Sequence, residues 1–501
     1  MRQPFNPQLQ LGEVPVSAIS LDLDSRDDIP KVLRGLQQLH EDRKARDAVL
    51  GMLATCLPKE VDQTTGRMGM DYWTIFVLGV LRLALNCDYD RIAELANEHR
   101  TLREMLGHGL LDEDKRYGRT TILENVSLIT PEVLEKVNVV LVMCGHSFLG
   151  QTEAALRGRC DSFVLETDIH YPTDASILLD AMRRLLKACN QANEVGISGW
   201  RQYKHLYKEL RKIYLRALRL CPSKAQDESK VEARRQLIRE ICQLFLARAL
   251  ALLESIEVTL KELKGLGKEP KALALQEEIE KFLPHAYRQV DQMRRRVILG
   301  ERIPHDEKVF SVFEEYSEWI NKGKAGVPVE LGVRVAIVED QFQFILHHRV
   351  MLGETDDKVP VEIIQNTKAN FPNFRACSFD KGFYTASNLS DLGKSLELVV
   401  LPKKGKWSEQ DRERETADEF VAMRRQHAAV ESAINALEVH GLDRCLDHGL
   451  HGFKRYVAWA VVGRNLLRLG AIALEKDREK KLREERTQIR RQNLSRQQRA
   501  A

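Results

Sequence analysis

Apolar positions recur at helical spacing through residues 31–150. Ile75, Leu78, Leu81 and Leu85 form one stripe, and Ile92, Leu95 and Leu102 resume it after a break at Asn86-Cys87-Asp88. Asp88 or Asp90 is placed to cap the helix that follows. Residues 1–30 lack this period and read as an irregular arm. Within 157–168 the pattern shortens: Phe163, Val164, Leu165 and Thr167 favour a strand. Pro172-Thr173-Asp174 ends it, with Asp174 expected to cap a helix running through Leu178, Met182 and Leu186. From about Asp180 to Arg302 the chain is dominated by helix formers, with breaks at 196–199, 222–223 and 265–270. Ile238, Ile241, Phe245, Ala249, Leu252 and Ile256 mark one stripe there, suited to a core or a self-association seam.

Strand signals return at 309–313. Segments 333–338 and 342–348 read as a hairpin turning at Glu339-Asp340-Gln341, and 359–367 as a helix. Short strands follow at 375–379, closing on Asp380-Lys381-Gly382, and at 396–401, stopped by Pro402. A long helix over 412–440 and another over 453–474 come next, then a basic tail, 475–501, of helix fraying into disorder. With the helical insertion set aside, the order is strand, hairpin, helix, strand, helix, strand, helix. This is a mixed α/β layer with helices on a central sheet. The expected organisation is an arm (1–30), an all-α domain (31–150), a catalytic α/β domain (151–180 with 303–474), a helical insertion (181–302) and a tail (475–501).

Composition sharpens this picture in two places. Hydrophobic residues make up 43% of the 501, enough for real cores, and charged residues 30%. The net charge of +4 is unevenly spread. Residues 201–240 hold twelve Lys and Arg against five Asp and Glu, and the tail from Glu475 holds ten against five. Such runs either attract phosphate backbones or are solvated helix faces. The nine cysteines include no C-x-x-C pair, which argues against a disulfide framework and the common zinc patterns. Cys445, His448 and His451 have metal-like spacing but no second ligand pair nearby. The N-terminus shows no signal peptide, and the apolar run over 72–85 is too short to span a bilayer. A soluble intracellular protein is expected.

Three carboxylates stand where chemistry can be done. Asp380 follows a strand and precedes a glycine, at the strand edge where ligands bind in α/β sheets. Glu431 lies at the margin of a buried helical stripe of Phe420, Met423, Val430, Ile434 and Leu437, one turn from His427 and Asn435. Asp161 sits inside a strand-forming run, where a charge is unwelcome without a partner. It is preferred as the first acid, with Asp168 second. Taken singly, Asp380 reads as an ordinary turn Asp and Glu431 as a solvated helix Glu. Taken together, they suit two-metal phosphoryl transfer, which needs hard oxygen ligands holding two ions roughly 3.5–4 Å apart. His170 and His427 are candidates for phosphate or water contacts, and Lys403, Lys404, Lys406, Arg424 and Arg425 for DNA phosphate.

These motifs, in this order, resemble an insertion-sequence transposase of the D-D-E type with a ribonuclease H-like core, within the ISNCY group. The matching segments are Asp161-Ser-Phe-Val-Leu-Glu-Thr-Asp168 through Asp174, Gly323-Lys-Ala-Gly326 with Glu330-Leu-Gly332, and Phe379-Asp-Lys-Gly-Phe-Tyr384. His427-Ala-Ala-Val-Glu-Ser-Ala-Ile434 with His440-Gly-Leu-Asp-Arg444 and Asn465-Leu-Leu complete the set. The N-terminal segment around Leu102-Arg-Glu-Met-Leu-Gly107 is similar to the helical DNA-binding domain of such enzymes. The resemblance implies catalysis by Asp161, Asp380 and Glu431 holding two Mg²⁺ or Mn²⁺ ions, with no covalent protein intermediate. It also implies terminal inverted repeats and target DNA as partners, a homodimer or higher oligomer, and a place at the bacterial nucleoid in the cytoplasm. The sequence departs from the pattern at His427 and Glu438, where related enzymes carry Arg and Lys, so those phosphate contacts do not carry over. A nuclease or resolvase of the same fold, and a non-catalytic DNA-binding remnant, are the rival expectations.

Overall fold

A computed structural model of the 501-residue chain describes all residues except 1–3, 6–8, 10, 57–68, 110, 111, 113, 221–226, 322–328 and 501. The expected break at 222–223 and the Gly323-Lys-Ala-Gly326 motif lie outside the described residues. The chain divides into two compact units: Met1–Asp168 with Ile320–Ala501, and Ile169–Trp319. The inserted unit is thus wider than the expected 181–302, and each unit is described by itself.

Among the described residues, the α-helices that open the first unit are α1 (Asp28–Glu41), α2 (Arg43–Ala54), α3 (Tyr72–Ala84), α4 (Tyr89–Glu98), α5 (Arg100–Met105), α6 (Arg119–Ser127) and α7 (Pro131–Leu149). Asp27, Asp42, Asp71 and Asp88 cap α1 to α4, each accepting a backbone N–H in the first turn. All of α3 is buried, Arg82 included. β1 (Leu156–Thr167) follows, and the chain then leaves for the second unit.

That unit is helical: α8 (Asp174–Gln191), α9 (Tyr203–Leu218), α10 (Glu228–Gly265) and α11 (Pro270–Met293). Thr173 caps α8 through a reciprocal bond pattern with Ser176, so Asp174 is not the cap; its carboxylate meets Arg296 at 3.0 Å. The helix belongs here because Leu178, Met182, Leu185 and Leu186 join Phe245, Leu252, Leu253, Ile279 and Phe282 in one core. No strand forms over 309–313. Ser311 Oγ accepts the N–H groups of Phe313 and Glu314, both at 3.1 Å, and Val312 turns into the helical core.

The sheet comprises β1, β2 (Glu318–Asn321, entering the first unit at Ile320), β3 (Val329–Asp340), β4 (Ile345–Met351), β5 (Phe374–Phe379), β6 (Leu398–Val400) and β7 (Arg444–Cys445). Its order is β2-β3-β1-β5-β6, with β4 also paired to β3 and β7 to β1. β3 runs antiparallel to β1 and β4, whereas β5 is parallel to β1 and β6 to β5. The hairpin turns later than expected, at 341–344, because Asp340 Oδ1 accepts the N–H groups of Phe342 (2.8 Å) and Phe344 (2.9 Å). Between strands lie α12 (Pro360–Asn370) and α13 (Ala386–Ser395).

The expected long helix over 412–440 is three: α14 (Glu409–Thr416), α15 (Asp418–His427) and α16 (Ala429–Leu437). Ala417 is extended (φ −59°, ψ 138°), and Glu415 before it is buried on the Lys403 N–H at 2.8 Å. The last helix, α17 (Gly449–Ala500), continues through the tail instead of fraying within it. It is long and apolar enough to cross a membrane by length and composition, which 72–85 is not; 83% of its apolar window is buried inside the unit. There it packs on α1, α3 and α7. Its contact with α1 needs two glycines. A Cβ on Gly470 would lie 1.7 Å from Lys31 O, and one on Gly35 2.3 Å from Leu466 O. Asn465 then ties α17 to β4, accepting from the Ile345 N–H (2.8 Å) and donating to Asn138 Oδ1 (2.7 Å) on α7.

Candidate active site

The site grows from the middle of the sheet. β1 is hydrogen-bonded on both sides, and its parallel pairing with β5 ends at Cys160 opposite Phe379. The next residue on each strand is an aspartate, Asp161 and Asp380. Two carboxylates therefore leave neighbouring strands at one level, where strands lie about 4.8 Å apart. Asp161 stays in β1, opposite Ile337 of β3, and its Oδ1 accepts the Ser162 N–H at 2.7 Å. Asp380 ends β5 and opens a 3-10 turn (Lys381–Phe383), its Oδ2 facing the Gly382 N–H at 3.4 Å.

A third acid, overlooked in the sequence, completes this corner. Asp356 sits in a 3-10 turn (Asp356–Lys358) between β4 and α12, and its Oδ1 accepts the Ser162 hydroxyl at 2.6 Å. Gly382 matters through the side chain it lacks: a Cβ there would lie 3.2 Å from Asp356 Oδ2 and 3.6 Å from Asp380 Oδ2. The two turns are stapled by Asn388 of α13, whose amide donates to Asp357 O (2.6 Å) and Phe383 O (2.9 Å). Asp356 lies in Glu354-Thr-Asp-Asp357, which reads as an ordinary loop; only the fold brings it to β1.

Glu431 arrives from the first turn of α16, which packs on β1 through Val430, Ala433 and Leu437. It is exposed, while Asp161 is recessed. Burial pushes the Asp161 carboxyl up to about 7. The Ser162 N–H opposes this shift, and the charges of Asp380, Asp356 and Glu431 add to it. The three expected acids and Asp356 therefore share one electrostatic neighbourhood. They do not close on a common point. Among the described residues, no three His, Cys, Asp or Glu side chains are grouped as ligands of one ion. Cys445, His448 and His451 are likewise not such a group.

Around the acids, His427 ends α15 with Nδ1 3.0 Å from Ser378 Oγ. Burial holds its pKa below the ordinary value, and Arg159 adds to this against the pull of Asp380 and Glu431. Arg159 is buried, donating to Asp340 O at 2.8 Å, with Glu339 at 3.3 Å. Lys404 reaches the Asp380 turn, its Nζ 2.9 Å from Gly382 O. Lys403 is instead occupied by Asp411, and Arg424 stands 3.9 Å from Glu415. Lys406 and Arg425 are exposed.

Asp168 is not brought to this corner. Seven residues of strand carry it about 23 Å along β1 from Asp161, to the end where β7 pairs and Arg444 lies 3.8 Å away. His170 is paired with Asp180 at 2.6 Å within the second unit. Comparison of the chain with protein-family models, curated proteins and solved structures found no match to any of them.

Proposed function

We propose that this protein is a DNA transposase of the D-D-E type with a ribonuclease H-like catalytic core. On this reading it cleaves DNA at the terminal inverted repeats of an insertion sequence and joins the freed 3′-OH to target DNA. The observation that carries the reading is the placement of Asp161 and Asp380 one residue past the last parallel pair of β1 and β5, with Glu431 of α16 close enough for its charge to act on Asp161. The sheet supports it too: an antiparallel hairpin and two parallel strands flank the strand that bears the first acid, in the chain order the resemblance requires.

The donor chemistry suits divalent magnesium or manganese, although among the described residues the acids are not grouped as ligands of one ion. Four carboxylates offer only hard oxygen donors, and their mutual charge adds to the burial that pushes the Asp161 carboxyl up to about 7. Asp161, Asp380 and Glu431 would hold two ions, with Asp356 as a further donor. The bound ions would supply activation of the attacking oxygen and charge stabilisation of the leaving one. The chain's own groups do the positioning. The Asn388 staple sets the two acidic turns, His427 adds a hydrogen-bonding group without adding charge, and Lys404 brings a cation to the rim for phosphate. The protein would work on DNA in the bacterial cytoplasm as a dimer or higher oligomer, with the α1–α7 layer contributing to DNA binding.

The test uses a labelled duplex carrying the inverted repeats that flank the gene, a supercoiled target plasmid, and Mg²⁺ or Mn²⁺. The native protein should give nicked and joined products. Asp380→Asn should bind the duplex equally well and yield neither. Cleavage without joining would favour a nuclease or resolvase, and an undiminished rate in Asp380→Asn would remove the catalytic assignment.

A further inference from the structure

The second unit holds 27 Lys and Arg against 22 Asp and Glu, an excess larger than the whole chain's +4. The excess is concentrated on α9 and its flanks, where residues 201–219 carry seven Lys and Arg against Glu209 alone. This concentration is shaped. α9 and α10 enclose an open groove of about 580 Å³, lined by His205, Lys208, Glu209, Lys212, Arg216 and Arg248 over an apolar floor of Ile213 and Leu244. Its one acid is already neutralised, with Arg248 at 2.8 Å and His205 at 3.4 Å from Glu209. Lys208, Lys212 and Arg216 are exposed, and among the described residues none has an acidic partner within 4 Å.

Their spacing is the second observation. They stand at i, i+4 and i+8, on one face of α9, so three cations without an acidic partner among the described residues line up over about 12 Å. One strand of a duplex presents a phosphate about every 3.4 Å along the axis, three to four over that length. A solvated face has no need to turn its cations into one groove, and a protein partner for this groove would need a matching row of acids.

We infer that the α9–α10 groove is a second DNA-binding site, one that grips the phosphate backbone of a duplex without reading its bases. Lys208, Lys212 and Arg216 make the phosphate contacts, and Arg248 holds Glu209 away from them. The inference rests on the reading of DNA as substrate and adds where a duplex is held outside the carboxylate corner. Such a contact is independent of sequence, so it suits target or flanking DNA.

The experiment uses the full chain and a fluorescein-labelled 40-base-pair duplex of mixed sequence, with anisotropy read over a range of KCl concentrations. Each phosphate contact adds about 0.9 to the slope of log K against log salt. The triple variant K208Q/K212Q/R216Q should lower that slope by about 2.7, and K208Q or R216Q alone by about 0.9. A neutralisation elsewhere on the unit, K261Q/K268Q, should leave it unchanged. If the native protein binds and the triple variant keeps its slope, the groove is not a DNA site and the carboxylate reading is untouched. If the native protein does not bind DNA at all, both fall. If the triple variant changes only the oligomeric state, the groove is a protein interface and the inference is overturned.

Discussion

Ser162 donates its hydroxyl to Asp356 at 2.6 Å, and this bond is the direct link between β1 and the acidic turn that follows β4. The serine thus does for Asp356 what the backbone does for Asp161. It orients a carboxylate that would otherwise be repelled by its neighbours.

Ser162→Ala should therefore act on the site more than on the fold. A hydrogen bond to a charged group contributes about 1.5–3 kcal/mol when buried. Here both partners are partly exposed, so about 1 kcal/mol of stability should disappear in urea denaturation. Strand cleavage should fall several-fold, and the Mn²⁺ concentration giving half-maximal cleavage should rise. An unchanged metal requirement would mean that Asp356 takes no part in holding the ions.

Asp161 makes a prediction about pH. Its carboxyl is pushed up to about 7 from the ordinary 3.8, chiefly by burial. The folded chain then holds the proton more tightly than the unfolded chain, so stability falls as pH rises from about 4 to about 7, and the decline is complete above that. Roughly three pH units correspond to a ceiling of about 4 kcal/mol. In EDTA, Asp161→Asn should be more stable than the native protein at pH 8 and equal to it near pH 4. Adding Mn²⁺ at pH 8 should raise the melting temperature of the native protein and not of the variant. Parallel stability curves for the two proteins across this range would show that Asp161 is not strained by its neighbours.

The elements around this corner are legible in the sequence for a simple reason. Phe163, Val164 and Leu165, the run before Asp380, and the stripe of Val430 and Leu437 are local patterns, and strand or helix follows from local spacing. Asp356 is not legible, because its role depends on a hydroxyl 194 residues away in the chain. The strand expected at 309–313 fails similarly: one serine hydroxyl satisfies two backbone N–H groups, and Val312 finds more burial in a helical core than a strand offers. The tail after Leu474 stays helical further than the expected fraying, because its helix formers continue although charge replaces apolar residues there.

Arg82 and Asp447 offer a test of the scaffold behind the site. Their side chains meet at 2.7 Å with only 2% and 7% exposure, Arg82 lying over the rings of Tyr89 and Tyr456. The pair joins α3 to the turn before α17. Removing one partner strands a buried charge, which typically costs about 3–5 kcal/mol. Asp447→Ala should show that drop in chemical denaturation, with cleavage restored at low temperature where the fold is retained. A drop below about 1 kcal/mol would mean that Arg82 finds another partner, such as water.

The basic end of α17 separates binding from folding. From Arg478 to Asn493 every side chain is exposed, so this stretch buries nothing in the unit. At its start, Asp477 meets Arg34 at 2.7 Å, Lys476 donates to Phe148 O at 2.7 Å and Arg478 donates to Leu23 O at 2.5 Å. A stop after Glu479 preserves all three and removes eight Lys and Arg with two Glu. Its melting temperature should match that of the full chain. Its DNA affinity at low salt should be weaker, and its salt dependence flatter by about 0.9 for each phosphate that the tail had neutralised. Because α9 lies elsewhere in the chain, neutralising its three cations and removing the tail should lower the slope additively. An unaltered slope after this truncation would make the tail a solvated helix end, with DNA held by the rest of the protein.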